Sequence, residues 1–349
     1  KLRLTDEDLS KLEIDLGKRS KLYRFWEIDP GFLSYLVVAL PVIVGIWRAD
    51  VAGFLILLFM LIWFFRTVIM ASKALNTLAI IKSIKDVDWW KLLNEDYFSA
   101  REKLNELEKK RRLSRLDKIR KNSLLKFNFS NEKSLEPEEL IHVVMVPMYK
   151  ESFEVVRDTV LAAVNQNYDV KNKVILQLCP EARARESNFE TVAKLKNEFS
   201  NSFLKFMVSE HPANMEGEIV GKGGNVVWAA ERLCEELGRL KIDFERVMIT
   251  TMDADSIMEK EYLAHLSYLY LINHDRDNAS YEPLAFYTNN IWDAPAPMRI
   301  LAVGNSFYTL LQASRPHLQR NFSSHSQSLS SLLVTKKKKK KTIVEDGHQ

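Results

Sequence analysis

The stretch Val247-Met248-Ile249-Thr250-Thr251-Met252-Asp253-Ala254-Asp255-Ser256 decides the fold class, because an apolar run closes on two carboxylates one residue apart. A strand buried on both faces of a parallel sheet reads as a continuous apolar run, and open α/β sheets bind ligands beyond the carboxyl ends of such strands. Asp253 and Asp255 are therefore expected together at the rim of a cleft. Two hard oxygen donors in that spacing suit Mg²⁺ or Mn²⁺, which takes few protein carboxylates and completes its shell with water and substrate phosphate oxygens. Asp-Ala-Asp-Ser also serves as a turn and helix cap, since Asp and Ser side chains bond nearby backbone amides. The surrounding chain chooses between the two readings.

Working back from Asp253, Ile141–Pro147, Val174–Leu178 and Phe203–Val208 read as strands, and Glu154–Val164, Phe189–Phe199 and Gly221–Leu237 as helices. Strands alternating with helices over this length give right-handed βαβ units and a mostly parallel, Rossmann-like α/β sheet. Beyond Asp255, Tyr262–Ile272 and Met298–Leu311 read as helices, and Ser323–Ser331, which contains His325, as a Ser-rich loop. The run Lys336–Lys341 puts six like charges side by side and is expected to be disordered.

Ahead of the sheet, residues 1–30 form a polar, basic segment with Lys18, Arg19, Lys21 and Arg24 beside the first apolar run. Phe32–Trp47 and Val51–Phe65 are uncharged and separated by Arg48-Ala49-Asp50, so 31–66 reads as a transmembrane helical hairpin. Trp47 and Trp63 lie near the run ends, as interfacial aromatics do. The heavier basic flanks at the outer ends place both ends, and the catalytic portion, on the cytoplasmic side of the membrane. Residues 67–135 read as an amphipathic helix on the membrane surface, with Trp89 and Trp90 at its boundary, followed by a charged helical linker with Leu104, Leu107, Leu113 and Leu116 at helical spacing. Residues 141–349 are left for the catalytic domain.

Composition bounds the partners. With 349 residues and 46% hydrophobic, the chain has enough apolar content for one large core or two modest ones, which excludes disorder throughout. A net charge of +4, with the basic excess gathered in two short runs, gives no support to a nucleic-acid partner. Cys179 and Cys234 have neither metal-site spacing nor disulfide density and read as structural thiols in a reducing compartment.

The glycines Gly217, Gly221, Gly223 and Gly224 around Lys222 fail the Walker pattern: three residues separate the first pair instead of four, and Gly223 stands where Ser or Thr is needed. What remains is a backbone that approaches a ligand closely, a point charge at Lys222, and a helix N-terminus that favours an anion. Pro147-Met148-Tyr149-Lys150-Glu151 closes the first strand with an aromatic ring and a carboxylate, and Cys179-Pro180-Glu181 closes the second with another acid. Asn289-Asn290-Ile291-Trp292 offers amides and a ring that suit sugar hydroxyls and sugar faces, or an ordinary loop anchored by a Trp.

Taken in order, Val146-Pro147-Met148-Tyr149-Lys150-Glu151, Gly221-Lys222-Gly223-Gly224-Asn225, Asp253-Ala254-Asp255 and Glu345-Asp346 resemble the membrane-bound processive branch of the family-2 glycosyltransferases, related to cellulose and hyaluronan synthases. The resemblance implies a glycosyltransferase A-type fold, a nucleotide-sugar donor, with a UDP-sugar first, and a glycan or lipid acceptor in polysaccharide or glycolipid synthesis. It implies that Tyr149, Glu151, Glu181, Lys222, Gly223, Asn225 and Asp253 hold the nucleotide, that Asp253 and Asp255 hold Mg²⁺ or Mn²⁺, and that Asp346, with Glu345 beside it, is the general base of an inverting transfer. The family's usual Asp at the end of the second strand is here Cys179-Pro180-Glu181, and the sequence stops before the family's Gln-x-x-Arg-Trp motif. The expectation is a catalytic domain incomplete at its C-terminus; the alternative is a nucleotide-sugar-binding membrane protein without turnover.

Overall fold

The computed structural model describes residues 21–127, 135–215, 221–289, 291–314 and 324–339. The basic segment 1–20, Gly217, Asn290, and the expected base pair Glu345 and Asp346 lie outside the described residues. The chain divides into two compact units, one up to Leu78 and the other from Ala79 onward.

Helices α1 (Lys21–Trp47) and α2 (Ala49–Ile84) follow one another across Arg48, whose guanidinium meets Asp50 at 2.8 Å. Both are long and apolar enough to cross a membrane by length and composition, and no residue of either apolar window is buried within the described structure. Helix α2 runs unbroken through Thr67, where a separate surface helix was expected. No Gly or Pro occurs between Gly53 and Trp90 to interrupt the backbone hydrogen bonds, so the apolar and basic stretches share one helix.

In the second unit, Asp88 caps α3 (Trp89–Phe98) by accepting from the Lys91 amide at 2.9 Å. Trp89 is not a boundary residue: it is 1% exposed, stacked on His265 at 3.8 Å and edge-on to Tyr268. The charged stretch expected as a solvated linker folds as α4 (Ala100–Lys109) and α5 (Arg115–Leu124), and its leucines are why it packs: Leu107 and Leu124 are buried and Leu104, Leu113 and Leu116 lean on the same cluster. Buried Asp96 accepts from Arg120 and, at 2.8 Å, from the Tyr268 hydroxyl, so its charge is compensated where water cannot reach it.

The sheet has the order β3-β2-β1-β4-β5. Strands β1 (Ile141–Met148), β2 (Val174–Pro180), β3 (Lys205–Val208) and β4 (Val247–Thr251) are parallel, and β5 (His325–Ser328) runs antiparallel to β4. Alternation along β1 sorts the core. Val144, Val146 and Met148 pack under α6 (Phe153–Val164) and α7 (Arg185–Phe199); Ile141, Val143 and Met145 pack under α8 (Lys222–Leu240) and α11 (Leu329–Lys339). Each fully buried Val or Leu contributes about 1.5–3 kcal/mol, and a one-residue slip of β1 would exchange the side chains of the two layers and misfit both. Helix α9 (Tyr262–Ile272) joins Trp89 in a further cluster, and α10 (Ala296–Ala313) follows it in the chain. This is the α/β, mostly parallel architecture expected, preceded by the two apolar helices.

Two expectations are corrected at the end of the chain. Ser323–Ser331 is not a loop where it is described: His325–Ser328 forms the buried edge of the sheet, because the Ser326 hydroxyl bonds Thr250 Oγ1 at 2.8 Å and the Tyr262 hydroxyl at 3.0 Å and removes the cost of burying it. Lys336–Lys339 continue α11 as helix. Leu329 and Leu332 anchor that helix in the core, and Lys340 and Lys341 lie outside the described residues.

Candidate active site

The carboxyl ends of β1, β2 and β4 meet the N-terminus of α8, and the sequence-expected residues gather there. After β4 the chain alternates: Met252 and Ala254 are buried, and Asp253 and Asp255 turn out of the core. The turn is fixed from several sides. The Met252 amide donates to Met145 O at 2.9 Å, Thr159 Oγ1 donates to Ala254 O at 2.8 Å, and Asn289 Nδ2 donates to Asp255 O at 3.0 Å. The Asp253 amide reaches Ser324 Oγ at 3.3 Å.

Lys222, the first residue of α8, places its Nζ 2.9 Å from Asp253 Oδ1. The following Gly223, Gly224 and Asn225 are buried, which sets the helix start close against the sheet. Asn225 does not face the cleft: it is 1% exposed, its Nδ2 donates to Cys179 O at 2.8 Å, and it acts on the site by fastening α8 to β2. Cys179 is buried, and burial pushes its thiol far above the usual range, which fits the packing role read from the sequence.

At the end of β2, Glu181 is bridged in parallel to His211, and the Ala182 amide donates to His211 O at 2.9 Å. Glu181 Oε2 accepts from Arg183 Nη2 at 3.0 Å and lies 3.2 Å from His211 Nδ1. Burial pushes the Glu181 carboxyl up, but the hydrogen bonds from His211 and Arg183 outweigh it, and the net position is below the ordinary carboxylate value. Glu181 is thus an anion at neutral pH with one oxygen occupied by these two donors. At the end of β1, Tyr149 is exposed, with Lys150 Nζ 5.2 Å and the Arg183 guanidinium 5.5 Å from its ring. Glu151 Oε2 accepts from the Tyr149 amide at 2.6 Å and shapes the turn.

Arg183, His211 and Ser324 were not singled out in the sequence. Arg183, two residues after Glu181, was within reach of local reading; His211 and Ser324 arrive through strand pairing and carry no local signal.

Among the described residues no three or more His, Cys, Asp or Glu side chains cluster as a metal site; the described pair of carboxylates that leaves the core together at the end of β4 is Asp253 and Asp255. That donor set fits Mg²⁺ or Mn²⁺ shared with a diphosphate, and Asp253 is already in contact with a cationic group, the Lys222 ammonium.

Comparison with protein-family models and with curated proteins gives no match. Among solved structures, the chain is similar to the mannosyltransferase PcManGT from Pyrobaculum calidifontis, in complex with GDP-Man and Mn²⁺, at 12% identity and a TM-score of 0.35, covering 74% of this chain and 56% of that one. It is also similar to S. aureus TarS at 13% identity and a TM-score of 0.26, covering 44% of this chain and 27% of that one. The chain thus spans a little over half the length of the first and about a quarter of the second.

Proposed function

We propose that the chain is a membrane-anchored, inverting glycosyltransferase of the A-type fold that moves a sugar from a nucleotide-diphosphate donor to a glycan or lipid hydroxyl. The observation that carries this reading is the Lys222–Asp253 contact at the shared rim of β1, β2 and β4, which joins a helix N-terminus, an ammonium and a carboxylate in the space a metal-bound diphosphate requires. The anionic Glu181 has an oxygen to accept a nucleobase N–H, and the Tyr149 ring, with cations beside it, offers a stacking surface. A UDP-sugar is the first donor to test, with GDP-sugars second.

Asp253 and Asp255 are the residues to hold Mg²⁺ or Mn²⁺, which when bound neutralises charge on the diphosphate. In the transfer, the acceptor hydroxyl oxygen bonds the anomeric carbon as the bond to the diphosphate oxygen breaks, and the hydroxyl proton passes to Asp346, with Glu345 beside it. Lys222 moves from Asp253 to the diphosphate and stabilises its charge as it leaves. Attack opposite the leaving group inverts the anomeric centre. Helices α1 and α2 anchor the enzyme, and the basic residues at the outer ends of their apolar runs, Lys21 and Arg24 before the first and Arg66 and Lys73 after the second, favour transfer on the cytoplasmic side. The membership proposed is the branch related to cellulose and hyaluronan synthases.

The test uses the full chain in vesicles with Mn²⁺ and a panel of UDP- and GDP-sugars, reading binding, donor hydrolysis and transfer. Asp255→Ala is expected to abolish metal-dependent binding, and Asp346→Asn to retain binding and lose transfer. Binding and turnover indifferent to both Asp253→Ala and Asp255→Ala would overturn the proposal, and binding without transfer in the unaltered chain would leave a nucleotide-sugar binder.

A further inference from the structure

Helix α10 (Ala296–Ala313) is amphipathic, and it faces the wrong way for a protein surrounded by water. At 3.6 residues per turn, Ile300, Leu301, Val303, Phe307, Tyr308 and Leu311 share one half of the helix, and Arg299, Ala302, Ser306, Thr309 and Ala313 the other. The polar and small half is the one turned to the protein. Arg299, Ala302, Ser306, Thr309 and Ala313 are all half-buried, and Ser306 Oγ accepts from the Tyr287 amide at 3.4 Å. The apolar half looks outward, with Ile300 73% and Val303 63% exposed, and no residue of the helix is buried. Leaving such a face in water forgoes the free energy that burying large apolar side chains supplies elsewhere in the chain.

We infer that the outward face of α10 lies in the bilayer–water interface, with lipid acyl chains as its occupant. The argument for lipid over protein rests on three features. The same chain carries two helices with the length and composition to cross a bilayer, and on the membrane-anchored reading proposed above, on which this inference rests, lipid is its neighbour. The outward half of α10 carries no charged group, and Arg299, the one charge on the helix, sits on the inward flank. Trp292, 82% exposed just before the helix, has the Arg299 guanidinium 5.7 Å from its ring, the pairing of amphipathic ring and cation that suits headgroup depth.

The experiment reconstitutes the full chain, in a Cys234→Ser background, into phosphatidylcholine–phosphatidylglycerol vesicles with a nitroxide at Ile300→Cys, Val303→Cys or Phe307→Cys, and at Asn305→Cys on the polar edge as control. These positions are exposed or on the outward half, so the label fits without displacing core packing. Collision rates with oxygen, which concentrates in lipid, and with a nickel chelate, which stays in water, are measured for each. The expected result is a several-fold higher ratio of oxygen to chelate collisions at the three outward positions than at Asn305. Chelate access at the outward positions equal to that at Asn305 overturns the inference. So does shielding from both probes, which would mean protein covers the face: a second copy if the shielding fades as the protein is diluted in lipid, another segment of the chain if it does not.

Discussion

Lys222→Met is expected to move metal and nucleotide affinity in opposite directions. Lys222 Nζ holds Asp253 Oδ1 at 2.9 Å, with the two side chains 21% and 37% exposed. At that exposure the ion pair is worth about 0.5–1 kcal/mol, because solvent screens it. Mn²⁺ alone must displace the ammonium to reach Asp253, so removing it tightens Mn²⁺ binding by about 2- to 5-fold. With a nucleotide sugar present, Lys222 instead makes a charged hydrogen bond to the diphosphate, worth about 1.5–3 kcal/mol, so its loss weakens the donor by about 10- to 150-fold. Calorimetric titration of the full chain, first with Mn²⁺ and then with UDP- or GDP-sugar at saturating Mn²⁺, reads both. Folding should barely change, since the side chain contributes little to the core. If Mn²⁺ and donor affinity fell together, or neither moved, the ammonium would not be exchanging between carboxylate and phosphate, and the assignment of the cleft would fail.

Glu181→Gln removes the charge that Arg183 and His211 hold and is expected to weaken nucleotide binding several-fold while leaving Mn²⁺ binding unchanged, read in the same titrations. Trp89→Ala deletes a fully buried ring stacked on His265 and should cost about 3–5 kcal/mol in denaturant unfolding of the unit from Ala79 onward. Ser326→Val strands the buried hydroxyls of Thr250 and Tyr262 and should cost about 1–3 kcal/mol in the same measurement. Burial lowers His142 to about 3, with Lys173 adding to it, and burial lowers His265 to about 4. Both are neutral in the folded state, so their contribution is intact above the unfolded value near 6.5 and falls as the pH drops from there toward 4; unfolding free energies at pH 7 and pH 4.5 should differ by on the order of 2 kcal/mol per histidine, and His265→Phe should flatten the slope.

The parallel strands were legible because burial on both faces leaves Ile141–Val146 and Val247–Thr251 without an Asp, Glu, Lys or Arg and rich in β-branched residues, and Asp253 and Asp255 were legible because they break such a run abruptly. Strand β5 was not: His325, Ser326, Gln327 and Ser328 carry the composition of a loop, and only the hydroxyls of Thr250 and Tyr262, reached from 76 and 64 residues away, make their burial affordable. The leucines of α4 and α5 were read at the right spacing but assigned to water, because the charges around them are local while their partners Trp89 and Tyr268 are not. The cleft divides the same way. Each acid at a strand end could be found alone, but what fixes its state is a partner supplied by pairing: His211 lies 30 residues from Glu181, Lys222 lies 31 from Asp253, and Ser324 lies 71 from the Asp253 amide. Register is therefore part of the chemistry. Sliding β3 by one position against β2 would turn its side chains to the other face and take His211 away from Glu181, leaving a buried carboxylate with Arg183 alone to hold its charge. A carboxyl so stripped would rise toward protonation and turn from hydrogen-bond acceptor into donor, so the pairing of β3 with β2 sets the charge that Glu181 carries at the end of its strand.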